Sequence, residues 1–170
     1  VQVFDSTRGL RIGAEVEFEG HMLEATLAPG IISRNYDGLQ NDLERMESLF
    51  IERGTKTDPI DYEKLWDYKP LAKVGDRVTA GDWLGEVQEL WVAHKIMVPF
   101  TMEQTYTVKS LKEEGQYNVN TVVAVLTDDR GEDHEVTMVQ KWPVKKAIKA
   151  YTAKPRPSRI METGVRAIDT

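Results

Sequence analysis

The chain has 170 residues, of which 41% are apolar and 29% charged, enough to bury the core of one domain or two small ones, and no apolar run is long enough to span a bilayer. A formal charge of −6, from 22 basic and 28 acidic residues, argues against a nucleic-acid partner, because phosphate binding draws on concentrated lysine and arginine. The absence of cysteine excludes disulfides, thiolate metal sites and cysteine nucleophiles, and fits a reducing compartment.

The first segment, Val1-Gln-Val-Phe-Asp-Ser-Thr-Arg8, has no basic stretch leading into an apolar one, so no signal peptide is legible, and the missing initiator methionine points to a trimmed or excised chain with a cytoplasmic location. Residues 1–28 alternate loosely through Val1, Val3, Phe4, Val16, Phe18, Met22, Leu23 and Leu27. They read as two or three strands, too few to close a sheet, whose partner is not evident in the chain. Ala28-Pro-Gly30 is a break and Tyr36-Asp-Gly-Leu39 a turn. Leu39, Leu43, Met46, Leu49 and Phe50 then recur at the spacing of an amphipathic helix ending at Gly54, with Glu44, Arg45, Glu47 and Glu52 on its wet face. Residues 55–69 show no sustained period and read as a loop with one helical turn at Tyr62–Leu65. Their Tyr62, Trp66 and Tyr68 could form a stacking surface, but are better read as staples onto the β unit that follows.

Residues 70–99 read as short strands joined by tight turns. Gly75-Asp76 and Gly81-Asp82 are turns with a mechanism: glycine supplies positive φ and the adjacent aspartate can hydrogen-bond the turn's own backbone. This unit repeats. Leu71-Ala-Lys-Val-Gly75-Asp-Arg-Val78 is echoed by Leu111-Lys-Glu-Glu-Gly115-Gln-Tyr-Asn-Val119, and Trp83–Val87 by Val122–Leu126. Two copies are too few for a solenoid, so they read as halves of one small barrel, each covering the other's apolar face. Val122–Leu126 and Glu135–Val139 flank a hairpin loop whose Asp128, Asp129, Glu132 and Asp133 do not meet EF-hand spacing, so a charged exposed tip is the better reading than calcium. Trp142-Pro143, Pro155 and Pro157 mark residues 140–163 as an extended connector. Lys141, Lys145, Lys146, Lys149, Lys154, Arg156, Arg159 and Arg166 make the last thirty residues basic, as befits a solvated segment touching an acidic neighbour. Thr163–Thr170 begins a helix that stops after a turn or two.

No reaction centre is legible. Gly75 and Gly81 stand one residue too far apart for a phosphate loop, and Asp82 follows where lysine is needed. GxGxxG, HExxH and GxSxG are absent. His21, His94 and His134 are far apart, and satisfied or exposed histidines are the expectation, although folding could bring them together. Glu113 with Glu114, and Glu86 with Glu89, read as ordinary surface acids. The expected catalytic, cofactor-binding and metal residues are therefore none.

The Val74-Gly-Asp-Arg-Val78 and Gly81-Asp-Trp-Leu-Gly-Glu-Val87 pattern resembles biotinyl and lipoyl carrier domains, whose modified lysine sits on a hairpin tip. Counting on from Gly81, that slot falls on Trp91, which cannot form the amide, and Lys95 lies four residues further. A carrier, or a stand-alone β-barrel binding module, is the alternative reading.

A broader resemblance covers nearly the whole chain. Leu27-Ala-Pro-Gly-Ile-Ile-Ser33, Asn35-Tyr-Asp-Gly-Leu-Gln40, Lys73-Val-Gly-Asp76, Gly81–Val87, His94-Lys-Ile-Met-Val-Pro99, Glu114-Gly-Gln-Tyr117, Met138-Val-Gln-Lys-Trp-Pro-Val144 and Thr163-Gly-Val-Arg-Ala-Ile-Asp169 occur in the order of the catalytic A subunits of V-type and archaeal-type rotary ATPases. Phe100, Asn41-Asp42 and Ile160-Met-Glu162 depart from that family's pattern. The resemblance implies a mainly β fold, a small barrel-sandwich domain with one amphipathic helix and extended flanks. Residues 1–28 would end an N-terminal β-barrel, 29–69 form a linker and helix, 70–139 the inserted bulge domain, and 140–170 a connector leading to a nucleotide-binding domain. ATP or ADP and magnesium would belong to the parent subunit, beyond these residues. The implied partners are B subunits and peripheral-stalk subunits, on the cytoplasmic face of a membrane that this segment does not enter.

Overall fold

The computed structural model describes residues 7–18, 20–46, 56–151 and 153–169. Among them the strands are β1 (Glu24–Leu27), β2 (Leu65–Pro70), β3 (Arg77–Val78), β4 (Trp83–Glu89), β5 (Val92–Met97), β6 (Tyr106–Leu111), β7 (Gly115–Asn118), β8 (Ala124–Thr127), β9 (Asp133–Val136) and β10 (Gln140–Pro143). A 3-10 turn at Leu43–Arg45 and a single α-helical turn, α1 (Arg166–Asp169), complete the inventory.

The Gly-Asp turns form as their chemistry dictates. Gly75 and Gly81 take φ of 93° and 90°, and the carboxylates of Asp76 and Asp82 accept the backbone N–H groups of Lys73 and Thr79 at 2.8 and 2.7 Å. They bracket β3 and deliver the chain into β4.

Eight strands form two four-stranded antiparallel sheets, ordered β5-β4-β2-β7 and β3-β6-β8-β9. The repeat organises both. β2, β4 and β5 correspond to β6, β8 and β9, which open about forty residues later, and β3 corresponds to β7. Exchanging each strand for its counterpart turns one sheet order into the other. Each half therefore gives three strands to its own sheet and lends the fourth, β3 or β7, to its partner's. Neither sheet closes, so the expected small barrel is an open sandwich. Two buried clusters fill it, one joining strands of the first sheet to residues flanking β8 and β9, the other joining strands of the second sheet to Leu84 of β4 and to Val98. Trp66, Tyr68, Val87 and Ile96 meet Val123 and Met138 in one, while Val78, Tyr106, Val108 and Leu126 meet Leu84 and Val98 in the other.

Several expectations are corrected. Among the described residues of 1–28 only β1 is a strand, and its partner lies within the chain: it pairs with β10, Glu24 opposite Pro143 and Leu27 opposite Gln140. Part of the expected extended connector is thus sheet. The other edge of β1 is closed by one side chain, since the Gln40 amide accepts from Thr26 N and donates to Thr26 O, both at 2.7 Å. The expected helix is reduced to the turn at Leu43–Arg45, with Leu39 and Leu43 exposed; Glu47, Leu49, Phe50, Glu52 and Gly54 lie outside the described residues. Side-chain acceptors prevail over helix propensity here, because Asp37 takes the N–H groups of Leu39 and Asn41 at 2.8 Å each and Gln40 adopts φ 64°. Residues 65–69, expected as loop with a helical turn ending at Leu65, join Pro70 in β2. Its Trp66 and Tyr68 are buried, so they serve the core and not a stacking surface.

Tyr68 yields a pH prediction. Burial raises its pKa from 10.0 to about 12, with a smaller push from Tyr117. A phenol harder to ionise folded than unfolded stabilises the fold fully below the unfolded value and loses that contribution as pH climbs through the folded one. Stability should therefore fall between pH 10 and about 12, by roughly 2 kcal/mol from this residue. Chemical denaturation across that range checks it, and Tyr68→Phe should flatten the slope.

Candidate functional site

Glu89, at the end of β4, is the buried acid around which the elements of the site meet. It is only 3% exposed. One carboxylate oxygen accepts the N–H groups of Gly30 and Ile32 at 2.7 and 3.1 Å, and the other lies 2.7 Å from His94 Nδ1 on β5. A carboxylate can be buried when its lone pairs are taken by donors, and here two backbone amides and an imidazole take them. The Ala28-Pro-Gly-Ile-Ile32 break is thereby clamped onto the β4–β5 hairpin. Reading Glu86 and Glu89 together as surface acids is corrected for Glu89. The strand period carried the signal, because Glu89 shares with Val87 the inward alternation of β4.

Glu86 has a different role. The Lys95 side chain binds it and holds its carboxyl below the ordinary value, and the same ammonium lies 4.9 Å from the Trp83 ring centre. Lys95 is therefore a strand residue cross-linked to its neighbour, where a carrier domain needs a free lysine at the tip. The tip is Leu90-Trp91, with Leu90 at φ 53° and the Trp91 side chain 77% exposed.

Beside the clamp, Asn41 and Asp42 are buried in a polar knot. Asp42 accepts Arg34 Nη1 at 2.8 Å and lies 3.4 Å from Arg45 Nε, its N–H donates to Thr57 Oγ1, and Asn41 Oδ1 accepts Thr57 N. Two arginines around a fully buried carboxylate give this departure from the family pattern a structural purpose. Arg45, expected on a wet face, is exposed and still reaches Asp42 of the knot.

The three histidines lie on different elements. His21 sits against Glu24 and the Met22 carbonyl, His94 is bound to Glu89, and His134 packs edge-on against Tyr106. The donor atoms of Asp128, Glu132 and His134 fall within 4.8 Å of one another at the β8–β9 tip. Asp128 is engaged in building that turn, since one of its oxygens accepts Arg130 N and Glu132 N at 2.9 Å and its pKa is lowered by those bonds, the Glu132 bond first. The basic segment is anchored at its start, where Lys146 O accepts Trp142 Nε1 and Lys146 Nζ meets Glu103, both at 2.9 Å; from residue 153 its described residues are exposed.

The described site thus consists of a clamped loop, an apolar hairpin tip and a pair of antiparallel strands, β1 and β10. Among the described residues no helix is long and apolar enough to cross a membrane. A family model described as the ATP synthase alpha/beta subunit barrel-sandwich domain matches residues 57–145. Over its whole length the chain is 43% identical to the V-type ATP synthase alpha chain of Protochlamydia amoebophila, and 45% to that of Chlamydia pneumoniae. It is 41% identical to the protein of the same name from Treponema denticola, and it spans 29% of the length of each of these three relatives.

Proposed function

We infer the function from one premise: this chain belongs to the family of ATP synthase alpha/beta subunit barrel-sandwich domains. It is the inserted bulge region, with its flanks, of a catalytic A subunit of a V/A-type rotary ATPase, whose parent makes or hydrolyses ATP in step with proton or sodium transport. Residues 70–139, with β2 from Leu65 in the same sheet, form the inserted domain, 1–28 belong to the preceding barrel, the remainder of 29–69 links the two, and 140–170 lead to the nucleotide-binding domain. The segment itself is structural and adhesive, with no catalytic, cofactor-binding or metal-binding residue, and it contacts B subunits and peripheral-stalk subunits on the cytoplasmic face. ATP and magnesium are handled elsewhere in the parent.

The observation that carries this reading is the match to V-type ATP synthase alpha chains along all of this chain, against under a third of theirs. Physical support comes from the hairpin tip, where exposed Leu90 and Trp91 form the kind of aromatic anchor that protein interfaces favour. Two measurements test it. Calorimetric titration of the chain with magnesium ATP should give no saturable heat, and the coding sequence should continue past Thr170 into a phosphate loop. Stoichiometric nucleotide binding, or a stop codon after Thr170, would overturn it.

A further inference from the structure

The β2–β4 ladder opens before either strand ends. Pairing runs through Pro70–Gly85, Lys69–Glu86 and Tyr68–Val87 and then stops, although β2 extends back to Leu65 and β4 on to Glu89. The same register would set Asp67 opposite Gln88 and Trp66 opposite Glu89. Instead these four residues, with Leu65 and Leu90, wall a cavity of about 420 Å³ that the loop at Gly30–Arg34 borders on its far side. The fork is wedged open by the Glu89 clamp, which brings Gly30 against the Trp66 ring: a Cβ built on Gly30 would lie 3.5 Å from Trp66 Cζ2.

Two sets of hydrogen-bonding groups without a partner among the described residues belong to the residues that wall this fork. Trp66 is 5% exposed, yet its Nε1–H has no partner among the described residues, and that nitrogen shares a ring carbon with the Cζ2 edge turned to Gly30. A buried donor without an acceptor is costly, so an acceptor arriving there gains more than it would at a hydrated surface. The second set is main-chain. Leu71 N donates to Leu84 O, so in antiparallel alternation Lys69, Asp67 and Leu65 also turn their backbone groups toward β4. At Lys69 the partner is Glu86, whereas at Asp67 and Leu65 the ladder partner is gone. Acidic side chains outnumber basic ones on the walls, with Glu44, Asp61, Asp67 and Glu89 against Arg34 and Lys64. Arg34 is already committed to Asp42, Lys64 lies over the Trp66 ring and Glu89 is committed to its clamp. Asp61 has Arg45 Nη2 at 3.9 Å and Asp67 Oδ1 accepts Gln116 Nε2 at 2.9 Å, so Asp67 Oδ2 is the rim oxygen left to a cation among the described residues.

We propose that the fork between β2 and β4 is a binding site for an extended peptide segment carrying a lysine or arginine. A peptide carbonyl accepts the Trp66 indole N–H, the peptide backbone continues the ladder along Asp67 and Leu65, and the basic side chain reaches Asp67 Oδ2 at the rim. Adding a strand to an unsatisfied edge is an established way for sheets to capture peptides. Here the orphaned indole fixes the register and the rim carboxylate selects the charge.

The test is nitrogen-15 NMR of the 170-residue chain titrated with the blocked tripeptide N-acetyl-Val-Arg-Val-amide. The chain has four tryptophans, and the Trp66 indole resonance is assigned with Trp66→Phe or, should that variant not fold, by elimination with phenylalanine at Trp83, Trp91 and Trp142. That resonance should move downfield and saturate in the millimolar range, together with the Asp67 amide, while the Trp91 indole stays in place. Replacing the peptide's arginine with norleucine should weaken binding about 3- to 5-fold, and Asp67→Asn should remove most of that difference. A Trp66 indole resonance that stays fixed throughout means that water alone fills the fork, and the proposal fails. Equal binding of the norleucine peptide overturns the choice of a basic segment.

Discussion

Glu89→Ala is expected to lower the unfolding free energy by about 3 kcal/mol or more, because each buried donor left without its acceptor costs about 1–3 kcal/mol. The substitution strands the N–H groups of Gly30 and Ile32 and leaves the His94 imidazole facing an empty space, so three donors lose their acceptor at once. Glu89→Gln retains an oxygen for the loop but not the charge, and should cost about 1–2 kcal/mol. Urea denaturation of the three proteins measures both steps. An unchanged midpoint for the alanine variant would show that the loop is held by something other than this carboxylate. Amide exchange adds a local readout, because Gly30 and Ile32 should lose protection before the strands do.

Gly85→Ala should be as damaging for a different reason. A Cβ at this position would stand 2.3 Å from Tyr68 Cε2 and 2.5 Å from Cζ and the hydroxyl oxygen, on a ring that is fully buried. The ring cannot swing aside, because it is packed edge-on against Tyr117 at 6.2 Å and its hydroxyl lies 3.4 Å from the Leu84 carbonyl. Overpacking of this kind costs up to about 3 kcal/mol, and more where the neighbours cannot relax. Gly85 is therefore required for the space it leaves, whereas Gly75 and Gly81 are required for their positive φ. Combining Gly85→Ala with Tyr68→Leu should recover at least about 1 kcal/mol relative to the sum of the single changes, since the smaller side chain vacates the contested volume. Thermal denaturation of both single variants and the double variant tests this, and strict additivity would remove the steric explanation.

What was legible in the sequence was local. The Gly-Asp turns, the hairpin about Asp128 and the repeat from Leu71 to Leu111 all rest on residues near one another in the chain, and each is present in the fold. The strand lent from each half to the other follows from the repeat only after the sheets are seen, because repetition does not say which edges pair. β2 was missed although Trp66 and Tyr68 alternate inward, since the outward Leu65 and the closing Pro70 blur the period. The pairing of β1 with β10 joins distant segments through backbone groups, which leave no trace in side-chain patterning. The clamp was missed for a related reason. A glutamate counts as polar in any pattern, and only the amides brought against it from Gly30 and Ile32 make its burial tolerable. In the polar knot, Asn41 and Asp42 read only as a departure from the resembled pattern, because no spacing rule ties them to Arg34 and Arg45, which flank them in sequence and answer Asp42 in the fold.

The pairing of Glu24 with Pro143 has a mechanical corollary. The chain runs out along β1, builds both sheets and returns along β10, so the whole sandwich hangs from one two-stranded root whose outer ends are neighbours. Tension applied to those ends loads the rungs of the root one after another, as in opening a zip, and does not shear them together. The root should yield at low force while the interleaved sheets beyond it stay intact.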